Sequence, residues 1–98
     1  MNKTYILKKS GTKNKKWDIT DKETGITIHF GDSRYEDYTM HKDPVRKERY
    51  LARHGARENW DDMTTPGFWA RFLLWSKPTL AESIKDVEKK NRIKIKLQ

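Results

Sequence analysis

Cysteine is absent from this 98-residue chain. That absence excludes a disulfide framework, a cysteine zinc site and a cysteine nucleophile, and it suits a reducing compartment. Glycine and proline are scarce, with five and three residues, which leaves little room for linkers. No stretch approaches the roughly 20 apolar residues that a membrane span needs. The first residues contain no apolar run, so we expect no secretory signal peptide.

Aromatic residues, in contrast, are plentiful: four Trp, four Tyr and three Phe. Hydrophobic residues make up 34% of the chain and charged residues 37%, a balance that by itself would suggest disorder. The aromatic side chains supply the buried area that a core needs. We therefore expect residues 1–98 to form one small domain.

The charge balance is strongly basic. Lys and Arg number 22 against 14 Asp and Glu, which gives a formal net charge of +8. Such a charge favours polyanionic partners, such as nucleic acid or an acidic protein surface.

Alternating apolar residues predict a small β-sheet. Residues 5–7 form a short apolar strand, and residues 16–30 alternate on both sides of a turn at Gly25, which is typical of a hairpin. In residues 92–98, Ile93, Ile95 and Leu97 alternate with basic residues, which predicts a C-terminal strand. Residues 32–42 have no clear period and are predicted to be an ordered loop.

Three helices are predicted between the hairpin and the last strand. Asp43-Pro44 and Thr65-Pro66 are typical helix starts, followed by helices over residues 44–54 and 67–76. Thr79 and Glu82 form the pattern of a capping box before a third helix that ends near Asn91. The element order is βββαααβ, an α+β domain in which a mainly antiparallel sheet packs against three helices. We expect a shared core formed by Trp17, Ile19, Ile28, Phe30, Phe72, Leu73, Ile84 and Ile95.

A series of short motifs runs from Ile28 to Ile84. They are His29-Phe30-Gly31, Asp37-Tyr38-Thr39, His41-Lys42-Asp43, Arg46-Lys47, Tyr50-Leu51, Arg53-His54, Glu58 with Trp60, Gly67-Phe68-Trp69, Arg71, Leu73-Leu74-Trp75, Lys77 to Leu80, and Ser83-Ile84. In their residue types and order the chain resembles a family of small proteins of unassigned function encoded by large DNA viruses and some phages. The resemblance implies a viral or phage origin, with a location in the host cytoplasm or nucleoid, or in the virion. It implies no activity.

An arginine ridge is predicted on the first helix. Arg46, Arg49 and Arg53 lie within one narrow arc at 100° per residue, with Tyr50 at its edge. Guanidinium groups at this spacing suit successive phosphates, and Tyr50 suits stacking on a base. The alternative is a solvated face neutralised by neighbouring acidic residues, which is the more common role of charge runs.

A second basic surface is predicted on the C-terminal strand, where Lys94 and Lys96 share one face. If this strand pairs beside the first one, Lys8 joins them, and the surface suits sequence-independent phosphate contacts. The alternative is that the lysines protect an edge strand from pairing with other chains.

Residues 68–75 are apolar almost all round the predicted helix, which is typical of a buried helix. Trp69 and Trp75 point apart by about 120° on the helical wheel. One of them, together with Arg71, is therefore a candidate interface with a protein partner.

The polar middle of the chain contains His29, Asp32, Glu36, Asp37, His41, Asp43 and His54. Their spacing fits no metal-ligand motif, so we predict no catalytic residue, no metal site and no cofactor. A metal-dependent nuclease is the third and weakest hypothesis for function.

The favoured interpretation is a non-enzymatic viral or phage binding protein, associated with a virion or with nucleic acid, that contacts a polyanion through a basic surface. Its partner is nucleic acid or a viral or host protein complex, and the sequence does not predict its oligomeric state. The alternative is an anti-defence protein that inhibits a host factor or sequesters a nucleotide signal, because arginine and tryptophan around a pocket suit an anionic, ring-bearing ligand.

Overall fold

A computed structural model describes residues 3–98 of the chain. The elements are β1 (Lys3–Lys9), β2 (Lys15–Asp21), β3 (Thr27–Asp32), α1 (Tyr38–His41), α2 (Pro44–Gly55), α3 (Pro66–Trp69) with its π-helical continuation (Ala70–Leu74), α4 (Leu80–Asn91) and β4 (Ile93–Leu97). The predicted α+β class is confirmed. Within residues 3–98, none of the helices has the length and apolar character needed to cross a lipid bilayer.

The sheet has four strands in the order β3-β2-β1-β4. The predicted hairpin is confirmed, since β2 pairs antiparallel with β3 and also with β1. The C-terminal strand lies beside β1, which is the condition under which Lys8 joins Lys94 and Lys96, and this pair is parallel, with Lys3 opposite Ile93. The sheet is therefore mainly antiparallel, with one parallel pair at its edge.

The helix count differs from the prediction. Four helices lie between β3 and β4 instead of three, because the segment predicted to be a loop contains α1. The Asp37 carboxylate caps this helix by accepting a hydrogen bond from the Thr39 backbone N–H at 2.9 Å. Lys42 ends the helix in a left-handed conformation, with φ at 56°. A single turn is too short to show helical periodicity in a sequence.

The third helix is also not the uniform α-helix that was predicted. After Trp69 it widens into a π-helical segment, and the Trp75 backbone N–H bonds to the Ala70 carbonyl at 3.1 Å, five residues back. Such π-turns are rare and often occur at functional sites.

The core lies between one face of the sheet and the helices. Of the predicted core residues, four are buried: Ile19, Phe30, Leu73 and Ile95. The other four, Trp17, Ile28, Phe72 and Ile84, are partly buried and pack against that core. The largest fully buried side chain is Trp69, which is 0% exposed and donates its indole N–H to the Met63 carbonyl at 2.9 Å. Trp69 is therefore part of the core, and of the two tryptophans named as candidate partner contacts it is Trp75, which is partly buried, that keeps exposed surface.

Replacement of Leu73 tests this core. Leu73→Ala should reduce the free energy of unfolding by about 2–5 kcal/mol, because a fully buried leucine leaves a cavity when truncated. Phe72→Ala should cost less than truncation of a fully buried phenylalanine, because Phe72 only packs against the core. Urea denaturation of both variants measures the difference. A loss below about 1 kcal/mol for Leu73→Ala would contradict this packing.

Thr79 caps α4 as predicted. Its hydroxyl oxygen accepts from the Glu82 backbone N–H at 3.2 Å and donates to the Glu82 carboxylate at 3.0 Å. Thr79→Ala should therefore destabilise the protein by about 1 kcal/mol, and Thr79→Gly by less. Thermal and urea unfolding followed by circular dichroism measure both losses. Unchanged stability in both variants would show that the cap contributes nothing.

Candidate functional site

The arginine ridge lies on α2 as the helical spacing predicts. The helix starts where the Asp43 carboxylate accepts from the Val45 and Arg46 backbone N–H groups, with Pro44 in the first turn. Three arginines, Arg46, Arg49 and Arg53, are exposed along it. Arg46 is paired with Glu36 at 3.3 Å. Among residues 3–98, Arg49 and Arg53 have no ion-pair partner. The alternative interpretation, a ridge neutralised by acidic residues, therefore applies only to Arg46.

Tyr50 does not have the role proposed from the sequence. It is only 6% exposed. Trp75 stacks on it with a centroid distance of 4.3 Å and an interplanar angle of 2°, and His54 stacks on it at 4.3 Å. The Trp75 and His54 rings cannot both occupy the same face of the Tyr50 ring, so Tyr50 lies between them. Both faces of Tyr50 are therefore covered, and it cannot stack on a base. Its burial raises the pKa of the phenol well above its ordinary value.

Trp75 and Arg71 are also held by contacts within the chain. The Arg71 guanidinium donates to the Trp75 carbonyl at 2.9 Å and lies 5.3 Å from the Trp60 ring centroid. Burial lowers the pKa of Arg71. His41 packs against Trp75 at a centroid distance of 5.3 Å. Arg71 and Trp75 are half-buried, and these contacts fix the end of the π-helical segment.

A cleft of about 730 Å³ separates α2 from the ends of β2 and β3. Four sequence candidates line it: Arg46, Tyr50, Arg53 and Trp75. Arg49 is not among the lining residues. The other lining residues are Lys15, Lys16, Gly31, Asp32, Tyr35, Glu36, Asp37, His54, Glu58, Pro66, Gly67, Ala70 and Leu74.

The acidic side chains of the cleft are already engaged. Three of its four carboxylates pair with a lysine or arginine: Asp32 with Arg34, Glu36 with Arg46 and Asp37 with Lys16. Glu58 contacts the His54 ring at 3.1 Å and accepts from the Trp60 indole N–H at 2.8 Å. Hydrogen bonds from Arg34 lower the pKa of Asp32 to about 2, so this carboxylate stays ionised. Of the lining cations, Lys15 and Arg53 have no ion-pair partner among residues 3–98. These two cations face the one carboxylate without a lysine or arginine partner, Glu58, so the remaining charge of the cleft is positive.

Two glycines that line the cleft pack closely against neighbouring elements. Gly31 has φ at +77°, and an added Cβ would lie 2.7 Å from the Leu74 Cδ1 atom. At Gly67 an added Cβ would lie 2.7 Å from the Glu58 carboxylate. Neither glycine was predicted to belong to a site. The signal that was available is the glycine inside the strand pattern of β3, which often marks a close backbone approach.

The second basic surface lies elsewhere. On β4, Ile93 and Ile95 face the core, while Lys94 and Lys96 are exposed on the opposite face of the sheet. Lys8 of β1 is exposed beside them. β4 and β3 are opposite edges of the sheet, and the cleft adjoins the ends of β2 and β3. The arginine ridge and the lysines thus form two separate surfaces.

The histidines of the polar middle are dispersed. His29 contacts the buried Asp18 through Nδ1 at 2.5 Å, and the His41 Nδ1 accepts from the Asp43 backbone N–H at 3.0 Å. His54 lies at the cleft beside Glu58, with 3.1 Å between Nδ1 and Oε1. Across residues 3–98, no group of three or more His, Asp or Glu side chains is placed to hold a metal ion.

Comparison with known proteins gives one match. The sequence model of a family described as "Family of unknown function (DUF5754)" matches residues 5–54. This range extends from β1 to the last turn of α2, so it includes the arginine ridge and excludes Lys94 and Lys96. A search of curated proteins and a search of solved structures each found no match. The viral or phage origin and the predicted location remain predictions from the sequence.

The Asp32–Arg34 pair beside the cleft can be tested by titration. Arg34→Ala should raise the pKa of Asp32 from about 2 toward its ordinary value of 3.8, because the guanidinium hydrogen bonds are lost. In the native chain the stabilisation from this depressed pKa is present above pH 3.8 and is lost as the pH falls toward 2. Carboxyl ¹³C NMR measures the midpoint. Arg49→Ala is the control and should leave it unchanged, whereas an unchanged midpoint in Arg34→Ala would contradict the pairing.

Proposed function

We propose that this chain, which belongs to the family of unknown function DUF5754, is a non-enzymatic binding protein that contacts the phosphates of a nucleic acid. The contact is the lysine face, defined as Lys8, Lys94 and Lys96 on the open side of β1 and β4. One observation carries the proposal. All three ammonium groups belong to exposed residues, and among residues 3–98 none has an ion-pair partner.

The register of the sheet brings these lysines together. Thr4 lies opposite Lys94 and Ile6 opposite Lys96, so Lys8 is the diagonal neighbour of Lys96 on the adjacent strand. Adjacent strands are about 4.8 Å apart, and residues two apart on a strand about 6.6 Å. Three positive charges at such spacings repel one another, and a phosphate backbone relieves this repulsion.

The neighbouring side chains support phosphate contacts over base recognition. Ile6, Thr20 and Thr27 lie on the same face as the lysines. Asp18 lies opposite Lys8 on this face, but it is buried and contacts His29. Base stacking on a sheet requires exposed aromatic side chains. We therefore expect binding that is independent of sequence and strongly dependent on salt.

The arginine ridge is left out of this contact. Arg46 already pairs with Glu36, Tyr50 is buried, and the ridge lies on α2, whereas the lysine face belongs to β1 and β4. The protection of an edge strand by lysines, the alternative for Lys94 and Lys96, predicts no effect of these residues on nucleic-acid affinity.

Charge reversal on the lysine face tests the proposal. Lys94→Glu/Lys96→Glu should weaken binding of a labelled oligonucleotide regardless of its sequence. It should also reduce the slope of log affinity against log salt by about 1.8 for duplex DNA, because each lost phosphate contact removes about 0.9. Fluorescence anisotropy between about 50 and 200 mM salt measures both quantities. Stability should change little, because exposed charges contribute about 0–1 kcal/mol.

The matched control is Lys85→Glu/Lys89→Glu. Both residues are exposed on α4, and this double reversal changes the net charge by the same amount. Equal affinity and equal salt slope in the two double variants would show that only the net charge of the protein matters. The lysine face would then not be the nucleic-acid contact. No binding at the lowest salt would refute nucleic-acid binding altogether.

A further inference from the structure

The cleft between α2 and the hairpin has no part in the proposed nucleic-acid contact, and it has the dimensions of a ligand site. Its volume of about 730 Å³ lies within the range of about 300–1,000 Å³ that is typical of small-molecule pockets. Leu74, Ala70, Tyr50 and Trp75 are among its lining residues. The Tyr50–Trp75 stack and the close approach of Gly31 to Leu74 hold these side chains in place, so the cleft is formed without a ligand.

The charges in the cleft select an anion. Asp32, Glu36 and Asp37 each pair with a lysine or arginine, which leaves the Lys15 and Arg53 cations against the Glu58 carboxylate. Arg53 comes from α2 and Lys15 from the start of β2, so the cleft presents one free cation from each of its two walls. A planar guanidinium and a flexible ammonium together suit the oxygens of a phosphate group.

The cleft also contains an aromatic ring that the fold leaves exposed. Tyr35 is 68% exposed and lines the cleft. Its only aromatic or cation contact among residues 3–98 is the Arg34 guanidinium, 5.8 Å from the ring centroid. Tyr50 and Trp75 stack on each other, so among these three lining aromatic residues Tyr35 is the one with a largely exposed ring. An exposed aromatic beside free cations fits a ligand with both a flat ring and a phosphate.

We propose that this cleft binds a nucleotide, with its phosphates on Arg53 and Lys15 and its base on Tyr35. Recognition of the base rests on stacking, so the site accepts more than one base. The shared chemistry, a base next to a phosphate, is present both in a free nucleotide and at the phosphorylated end of an oligonucleotide. The proposal does not depend on the lysine face, because the two surfaces are separate.

Isothermal titration calorimetry with ADP tests the site. ADP should bind with a stoichiometry of one, and adenosine and inorganic phosphate should each bind at least about tenfold more weakly, since each lacks one half of the ligand. Arg53→Ala and Tyr35→Ala should each reduce ADP affinity at least about tenfold. Both residues are exposed, and circular dichroism verifies that each variant is folded.

Two controls separate this site from its surroundings. Arg49→Ala removes an exposed arginine of the same helix that does not line the cleft, and it should leave ADP affinity unchanged. Lys94→Glu/Lys96→Glu should also leave it unchanged, so a failure of the nucleic-acid proposal does not affect this result. A 5′-phosphorylated oligonucleotide that displaces ADP, when its unphosphorylated form does not, would identify a nucleic-acid end as the source of the same chemistry.

Three results would overturn the proposal. One is the absence of ADP binding in the native chain. Another is equal ADP affinity in Arg53→Ala and Arg49→Ala. The last is loss of ADP binding in Lys94→Glu/Lys96→Glu, which would assign the ligand to the lysine face.

Discussion

The parallel stack of Tyr50 on Trp75 holds α2 in place, and the cleft depends on it. Tyr50 is the only buried residue of α2, so this helix has almost no apolar face of its own to bury. A second contact, from the Lys47 ammonium to the Ser76 carbonyl at 2.7 Å, joins the helix to the same end of the π-helical segment. These two contacts attach α2 to a segment whose residues Ala70, Leu74 and Trp75 also line the cleft.

Much of the fold could be predicted because local chemistry determines it. Alternation in residues 16–30 sets the register of the hairpin, since a shift by one residue would turn the core side chains toward solvent. Asp43, Thr65 and Thr79 start their helices through hydrogen bonds to nearby backbone groups. The parallel pairing of β4 with β1 joins residues about 90 positions apart, and no local pattern encodes it. The π-helical segment likewise has no sequence signature that distinguishes it from an α-helix.

The candidate site could be predicted only in part. Helical spacing correctly grouped Arg46, Arg49 and Arg53, because the direction of a side chain around a helix follows from its number. Helical spacing did not show which side chains from other elements contact this helix. Glu36 meets Arg46, and Trp75 covers Tyr50, only because of tertiary packing. Tertiary packing also brings Lys15 and Arg53 to the lining of one cleft.

The π-turn adds a phase shift to the third helix. In an α-helix each residue advances the side-chain direction by about 100°, whereas the wider turn at Ala70–Leu74 accommodates one residue more than an α-helical turn spanning the same rise. If the same residues were wound as a regular α-helix, the extra residue would no longer be absorbed in the wide turn. Trp75 would then be rotated by about one residue step, or about 100°, away from the plane in which it meets Tyr50. The local irregularity is thus the condition for a long-range contact, because the same sequence in a regular helix would lose the stack that lines its cleft.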